Sequence, residues 1–274
     1  MSTELRLSKR LTAIAGMVGT GGQKSGSPRA GADDPDGYCL CDVGTDHAHI
    51  PIKLLLDGTI QRAIAMDVIE GPIEKARQNI ELYGVGDRTE LRLSDGLDAY
   101  KEGEADGLVI AGMGGRIMSR ILLREPDKTR SFKELILQPQ ADPDFVRRAV
   151  RELGMYPDRE TVVFEDGKYY PVMHIVHEPG AAPDWSELGF DREDPSTRRF
   201  LHEIEDAFGP FLLAERDRML RQYLNWRKGV NDRIAGSLSL AGEKNREALS
   251  QKREAIARTD RMIRTALDYF DKQK

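Results

Sequence analysis

Three aspartates and a set of glycines carry the chemistry that this sequence can do. Asp42-Val43-Gly44-Thr45-Asp46-His47-Ala48-His49 follows an apolar run, and Asp67 stands 23 residues beyond Gly44. Ser94-Asp95-Gly96 closes another β-rich run, and Ile110-Ala111-Gly112-Met113-Gly114-Gly115 is a turn almost without side chains. An Asp-x-Gly at a strand-to-helix turn lets a ligand reach backbone N–H groups at the start of a helix. An acidic side chain ending the next strand accepts hydrogen bonds from ribose hydroxyls, which is the expected role of Asp67. Asp95 would accept from an adenine amino group. The full G-x-G-x-x-G of dinucleotide sites is absent. With no Lys or Arg among these turns, a ligand without phosphates is expected. S-adenosylmethionine (SAM), with its hydroxyls, adenine and sulfonium cation, suits them better than NAD or ATP. Singly, each aspartate reads as a turn or cap residue; their succession at strand ends is the informative part.

A metal reading competes for Asp42, Asp46, His47 and His49. The other histidines, His174, His177 and His202, lie far along the chain. His47 and His49, two apart at a helix start, are expected to point to different sides. No metal is expected.

The elements that must position these residues alternate. Strands are predicted at 38–43, 62–68, 89–93, 107–112 and 134–138, with helices at 47–56, 72–83, 115–123 and 144–153. Such alternation argues for a mostly parallel sheet covered on both faces. Residues 161–164 and 169–176 flank Glu165-Asp166-Gly167-Lys168, a hairpin signal. An α/β sheet ending in an antiparallel hairpin is the class I methyltransferase arrangement, whereas dehydrogenases continue with parallel strands. A short helix, capped by Ser8, is predicted at 5–18. Between it and the first strand, residues 19–37 hold six glycines, two serines, two prolines and three aspartates with no apolar period, a flexible insertion.

After a linker at 179–195 the chain reads as helical at 197–207, 211 to about 240, and 243–270. Leu249, Ile256, Ile263 and Phe270 recur every seven residues beside Ala248, Ala255, Met262 and Tyr269. The preceding helix offers Leu213, Leu220, Leu224, Ile234 and Leu238, and Ala241-Gly242 suits a turn. This predicts an antiparallel coiled-coil hairpin. The expected domains are 1–183, with the 19–37 insertion, and 190–274.

At 274 residues and 39% hydrophobic, the chain is long enough for two domains and apolar enough for a core. No apolar run approaches the ~20 residues of a membrane span, and Met1 to Leu7 lack the apolar stretch expected of a signal peptide. Cys39 and Cys41 share one face of a strand and are expected to be reduced, in a cytoplasmic protein. The net charge of −5 hides an uneven distribution. Residues 1–30 carry five basic groups against one acidic, and 191–274 carry eighteen against fifteen, so the middle is strongly acidic. Basic ends suit a polyanion; solvated helix faces explain them equally well.

The motifs carry a resemblance. Leu7-Ser8-Lys9-Arg10-Leu11, the Asp42-to-Pro51 string, Val68-Ile69-Glu70-Gly71-Pro72, Ser94-Asp95-Gly96-Leu97 and Ile110-to-Gly115 resemble the TrmK family of bacterial tRNA (adenine-N1)-methyltransferases. So do Leu135-Ile136-Leu137-Gln138-Pro139, the Glu165-to-Tyr170 hairpin and Phe208-Gly209-Pro210-Phe211-Leu212. The resemblance runs in order along the chain. It implies a Rossmann-like SAM domain with a C-terminal coiled coil, methylating N1 of adenine 22 in tRNA. It implies a cofactor site of Asp42, Gly44, His47, Asp67, Val68, Asp95, Gly96, Ala111, Gly112, Met113 and Gly114. Two features depart from the pattern. The insertion, with Lys24 and Arg29, is extra, and Asp67 stands where the longer Glu is expected.

Adenine N1 is already a lone-pair nucleophile, so the reaction asks mainly for in-line placement and for negative charge near the base. The bare turn after the fourth strand admits a planar base. The resemblance implies Asp46 as the catalytic carboxylate, accepting from the adenine amino group or taking its proton; an N-cap is its plain structural role. Base access requires unstacking. Lys9, Arg10, Arg221, Arg227 and Lys228 are expected to grip the tRNA. The expected protein is a monomer or weak homodimer, with the coiled coil as grip, dimer contact or scaffold. The alternatives are a methyltransferase of another substrate, or an RNA-binding protein with a degenerate SAM site.

Overall fold

The computed structural model describes residues 5–19, 37–239 and 246–272. Lys24, Arg29, most of the insertion, the Ala241-Gly242 turn and the Ala248 side chain lie outside the described residues. The chain divides into two compact units, Met1–Gly180 and Ala181–Lys274.

The first unit is a seven-stranded sheet between two helical layers. In chain order it holds α1 (Lys9–Ala15), β1 (Cys39–Val43), α2 (His49–Leu56), β2 (Arg62–Asp67), α3 (Glu70–Leu82), β3 (Thr89–Leu93) and β4 (Gly107–Gly114). Then come α4 (Gly115–Arg124), α5 (Pro126–Ser131), β5 (Glu134–Ala141), α6 (Pro143–Glu152), β6 (Tyr156–Glu165) and β7 (Lys168–Val176). The strand order is β3-β2-β1-β4-β5-β7-β6. β1 to β5 run parallel, and β7 joins β5 antiparallel.

Apolar runs make this possible, because a central parallel strand must be apolar on both faces. Cys39, Cys41, Val43, Leu108, Ile110, Leu135 and Leu137 pack with Met118 and Ile121 of α4 and Val146 and Ala149 of α6. Their alternates Leu40, Val109 and Ile136 pack on the other face with Ile14 of α1, Ile52 of α2 and Ala76 and Ile80 of α3. Period two sends neighbours to opposite layers. Cys39 and Cys41 are buried and free on one face.

Four local expectations need correction. α1 is shorter than predicted, although the Ser8 hydroxyl does cap it by accepting from Leu11 N. α2 starts at His49, because Asp46 and Ala48 adopt left-handed backbone and hold the preceding turn out of the helix. α5 was not foreseen; its sequence, PDKTRS, shows no apolar period. β6 begins five residues earlier than predicted, with Pro157 at a register shift. It is an edge strand, where the missing N–H of proline is tolerated. The hairpin turn is Asp166-Gly167 with φ of 50° and 75°, the left-handed pair that a two-residue turn requires.

Buried ions join the hairpin to the sheet. Arg147 of α6 donates to Glu160 of β6 at 2.7 Å. His174 of β7 bonds to Glu134 of β5 through Nε2 at 2.7 Å and to Asp158 through Nδ1.

The second unit is helical: α7 (Pro195–Phe208), α8 (Pro210–Ala214), α9 (Arg218–Ser239) and α10 (Arg246–Asp271). The single helix predicted from 211 to about 240 is broken. Arg216 is left-handed, φ 50°, and the Asp217 carboxylate accepts from Leu220 N to start α9. α9 and α10 run antiparallel, since Arg221 pairs with Asp271 while Arg253 reaches Leu238 O. Leu220, Leu224, Leu238, Ile263 and Phe270 are buried, as the heptads predict, but Ile234 and Ala255 face outward, and Asn231 and Ala266 take buried places that the heptads did not mark. Trp185 packs on Tyr269 and donates to Glu205 at 2.8 Å.

Burial alone would push the His174 imidazole down; its bonds to Asp158 and Glu134 outweigh this and hold its pKa up to about 9. A group raised in the folded state adds stability that is complete below its unfolded pKa, about 6.5, and is lost as pH rises through 9. The melting temperature should therefore fall between pH 6.5 and 9 more steeply in the wild type than in His174→Gln. Parallel curves would remove His174 as the titrating group.

Candidate functional site

The strand order reverses between β1 and β4, and their carboxyl ends define a crevice of the kind in which open α/β sheets bind ligands. The Asp42–His49 turn forms one wall. Gly44 N and Thr45 N both donate to Met66 O, at 2.8 and 3.0 Å, folding the turn over the end of β2. Gly44 has φ 74°, and a Cβ there would collide with Met113 Cε. The first and fourth strand ends thus meet at Gly44, whose positive φ favours glycine.

Asp42 is buried and accepts from Thr45 Oγ1 at 2.6 Å. Burial pushes its carboxyl up to about 7, against the Thr45 bond, with Asp67 adding to the rise. Asp42 therefore holds the turn from beneath. Asp67, also buried, accepts from Ile69 N at 3.1 Å and Asp46 N at 3.4 Å. Its second carboxylate oxygen ties the two walls together. Val68 and Ile69 follow as exposed apolar side chains.

Asp46 is exposed, with its carboxylate 3.7 Å from His47 Nε2. Ala48 occupies the N-cap position of α2, so Asp46 does not cap the helix; its N–H donates to Asp67. His47 and His49 do not diverge: their rings stack at 5.2 Å, because the helix begins only at His49. Burial, then the neighbouring His47, lower the His49 pKa, while Asp46 raises it. Among the described residues, no group of three or more His, Cys, Asp or Glu is arranged to hold a metal.

Two corrections concern charge at the rim. Asp95 is not free, since Arg124 at the end of α4 bonds its carboxylate at 2.8 Å, its carbonyl, and Asp98. An arginine distant in sequence therefore enters a rim read as lacking one. Gly96 beside it has φ 61° and packs on Ile121. Arg10 also stands at the rim, donating to Gln138 Oε1 at 2.6 Å, with its guanidinium 5.3 Å over the Tyr170 ring. Lys9 is exposed. Ala111, Gly112, Met113 and Gly114 form the end of β4, where the pairing with β5 twice slips register. In the second unit Arg221 pairs with Asp271, whereas Arg227 and Lys228 pair with no carboxylate among the described residues.

Reasoning from sequence missed Thr45, Gln138 and Arg124. Thr45 sat within a quoted motif, and Gln138 ended a predicted strand. Nothing local marked Arg124.

The crevice is acceptor-rich and closed by glycines, and residues 34–173 match a family model described as a methyltransferase domain. The chain belongs to the methyltransferase-domain family. A tRNA (adenine(22)-N(1))-methyltransferase of Bacillus subtilis (strain 168) is 34% identical over 175 residues, 62% of this chain and 65% of that protein, slightly under two thirds of the relative's length. The crystal structure of the B. subtilis m1A22 tRNA methyltransferase TrmK aligns with TM-score 0.74 and 27% identity, covering 97% of this chain and 100% of that one. Streptococcus pneumoniae Sp1610, a putative tRNA (m1A22) methyltransferase solved with SAM, aligns with TM-score 0.69 and 28% identity over 96% and 100%. The resemblance to the TrmK family read from the motifs therefore holds along the chain.

In this methyltransferase domain Gly44 combines a positive φ with a close approach to Met113. Gly44→Ala should cost roughly 1–3 kcal/mol, from positive φ and the collision with Met113. Chemical denaturation measures it. Adding Met113→Ala should recover the steric part but not the backbone part; full additivity of the two would show that they do not touch.

Proposed function

We propose that the chain transfers a methyl group from SAM to N1 of adenine 22 in tRNA. The observation that carries this reading is the likeness, over nearly the whole chain, to structures of m1A22 tRNA methyltransferases, joined to a crevice that offers the expected groups. The residues fit SAM: a buried carboxylate at Asp67 for ribose hydroxyls, apolar Val68 beside it, and a glycine turn with no lysine for phosphate. When bound, SAM supplies an electrophilic methyl on its sulfonium.

The chain's own residues do the rest. Gly44 and Met113 close the wall, and Gly112, without a side chain, leaves room for a planar base. N1 gains positive charge as it is methylated, so a carboxylate near the base lowers the barrier. Asp46 is the exposed carboxylate at that rim, and it accepts from the adenine amino group or takes its proton. Asp42 keeps the turn in place through Thr45.

Phosphate contacts would come from Lys9 and from α9, which carries five Arg or Lys against one Asp over its 22 residues. Such contacts give affinity that falls with salt. The protein acts as a cytoplasmic monomer or weak homodimer in this reading. No helix among the described residues is long and apolar enough to cross a membrane.

Nucleoside mass spectrometry of tRNA incubated with protein and SAM tests the reading, and N1-methyladenosine at position 22 is expected. SAM binding without tRNA methylation would point to another substrate, and no SAM binding would leave a non-enzymatic RNA-binding protein.

Two variants separate the parts. Asp67→Ala should weaken SAM binding by about 1–3 kcal/mol through lost charge-assisted hydrogen bonds, read by calorimetry. Unchanged affinity would remove Asp67 from the cofactor site. Arg227→Glu with Lys228→Glu should weaken tRNA binding and reduce its salt slope by roughly two, at unchanged SAM affinity. An unaltered slope would take α9 out of the RNA contact.

A further inference from the structure

The β4 turn has an unusual support. Across the two register slips, Ala111 pairs with Gln138 and Met113 with Pro139, which leaves Gly112 out of the ladder. Its N–H donates instead to a side chain, Gln138 Oε1, at 3.3 Å. Gln138 is fully buried, and the same Oε1 accepts from Arg10 Nη1 at 2.6 Å. Gln138 Nε2 donates to Pro139 O at 2.8 Å, which fixes the amide so that its oxygen faces both donors. Arg10 is braced from the hairpin by Glu165, whose Oε1 accepts Arg10 N at 3.4 Å, and by the Tyr170 ring. Gly112, with φ 79°, is exposed; a Cβ there would meet nothing closer than Gln140 Nε2 at 3.7 Å and Arg10 Nη1 at 3.9 Å. One buried oxygen therefore sets both the Gly112 peptide and the guanidinium beside the open face of the turn.

We propose that Gln138 is a positioning residue for methyl transfer, holding the Gly112 peptide and the Arg10 guanidinium in the geometry that seats the target base. This rests on the tRNA reading above and gives Arg10 a place beside the reacting base rather than on the outer phosphate track. A residue that only filled the core would be replaceable by an apolar isostere. Gln138 is not, because two donors converge on its oxygen, and leaving them unmet would let the turn move. Small misplacement at a reacting centre costs far more in rate than in binding.

The test uses the full chain. Gln138→Leu should lower single-turnover methyl transfer by about 10- to 100-fold, with KM for tRNA and affinity for SAM within about threefold of the wild type. Gln138→Glu keeps an acceptor for both donors but loses the donor to Pro139 O, so it should recover part of the rate. Hydrogen exchange at the Gly112 amide, read without substrate, should speed up in Gln138→Leu and stay slow in Gln138→Glu. Arg10→Met combined with Gln138→Leu should be no slower than the worse single variant, because both act through one contact. Wild-type rate in Gln138→Leu, equal loss of SAM affinity, failure of the Glu variant to recover, or multiplying effects in the double variant would each overturn the proposal. A wild-type chain that transfers no methyl group would overturn the tRNA reading itself, and the Gly112 exchange rates would still decide whether Gln138 holds the turn.

Discussion

Above β1 and β4 the backbone has to part. α2 leaves β1 for the face that holds α1 and α3, whereas α4 leaves β4 for the face that holds α6. No crossover helix can cover both strand ends, so a crevice opens where the strand order reverses. The strands beneath are apolar on both faces and tolerate few polar groups along their length. Polar function is therefore confined to their ends. Asp42, Asp67 and the Gly112 turn stand where they do for that reason, and the close approach of Gly44 to Met113 follows from bringing two diverging turns together.

What the sequence made legible follows from the same constraint. The apolar runs of β1, β2, β4 and β5 had to be strands, and the acidic or glycine turns after them had to be the rim. The Asp166-Gly167 hairpin showed itself because left-handed turns demand those residues. Illegible were features decided by partners distant in the chain. Arg124 reaches Asp95 across 29 positions and gives an aspartate read as a ligand group a structural partner. Tyr156 to Glu160 carry no strand pattern, because Pro157 and three charged residues interrupt it, yet an edge strand that pairs Glu160 with Arg147 and Asp158 with His174 accepts them. The break at Arg216 came from a cap at Asp217, whose side chain reads in sequence as one more surface charge.

Charge is divided between the units as the fold requires. The acidic excess of the middle of the chain belongs to the crevice unit. The basic excess gathers on α9, while α10 nearly balances its own charges with six basic and five acidic residues. Within α10, Arg264 is held by Asp260, and Arg258 by Glu203 of α7. Ion pairing thus uses much of α10's charge internally and leaves Arg227 and Lys228 of α9 unpaired among the described residues, a helix face suited to a polyanion.

Strain at the rim needs a stiff frame behind it. Asp46 and Ala48 hold left-handed backbone without being glycine, at about 1 kcal/mol each, and such conformations persist only when the surroundings fix them. On the β1 side the fixing comes from Asp67, which accepts the Asp46 N–H, and from Met66 O beneath Gly44. On the hairpin side it comes from buried charge. Glu134 receives His174 on one oxygen, while the other accepts Gly19 N at 2.5 Å and Tyr38 OH at 2.6 Å. Burial would raise the Glu134 carboxyl, but His174, Tyr38 and Gly19 outweigh it and keep its pKa low. The carboxylate therefore stays ionised, and it clasps the chain at Gly19 and again at Tyr38. Gly19 and Tyr38 thus share a single buried anion on β5, whose first residue is Glu134 and whose buried carboxyl-end side chain is Gln138. Two buried polar side chains therefore act from one strand: Glu134 at its amino end holds Gly19 and Tyr38, and Gln138 near its carboxyl end holds the Gly112 turn.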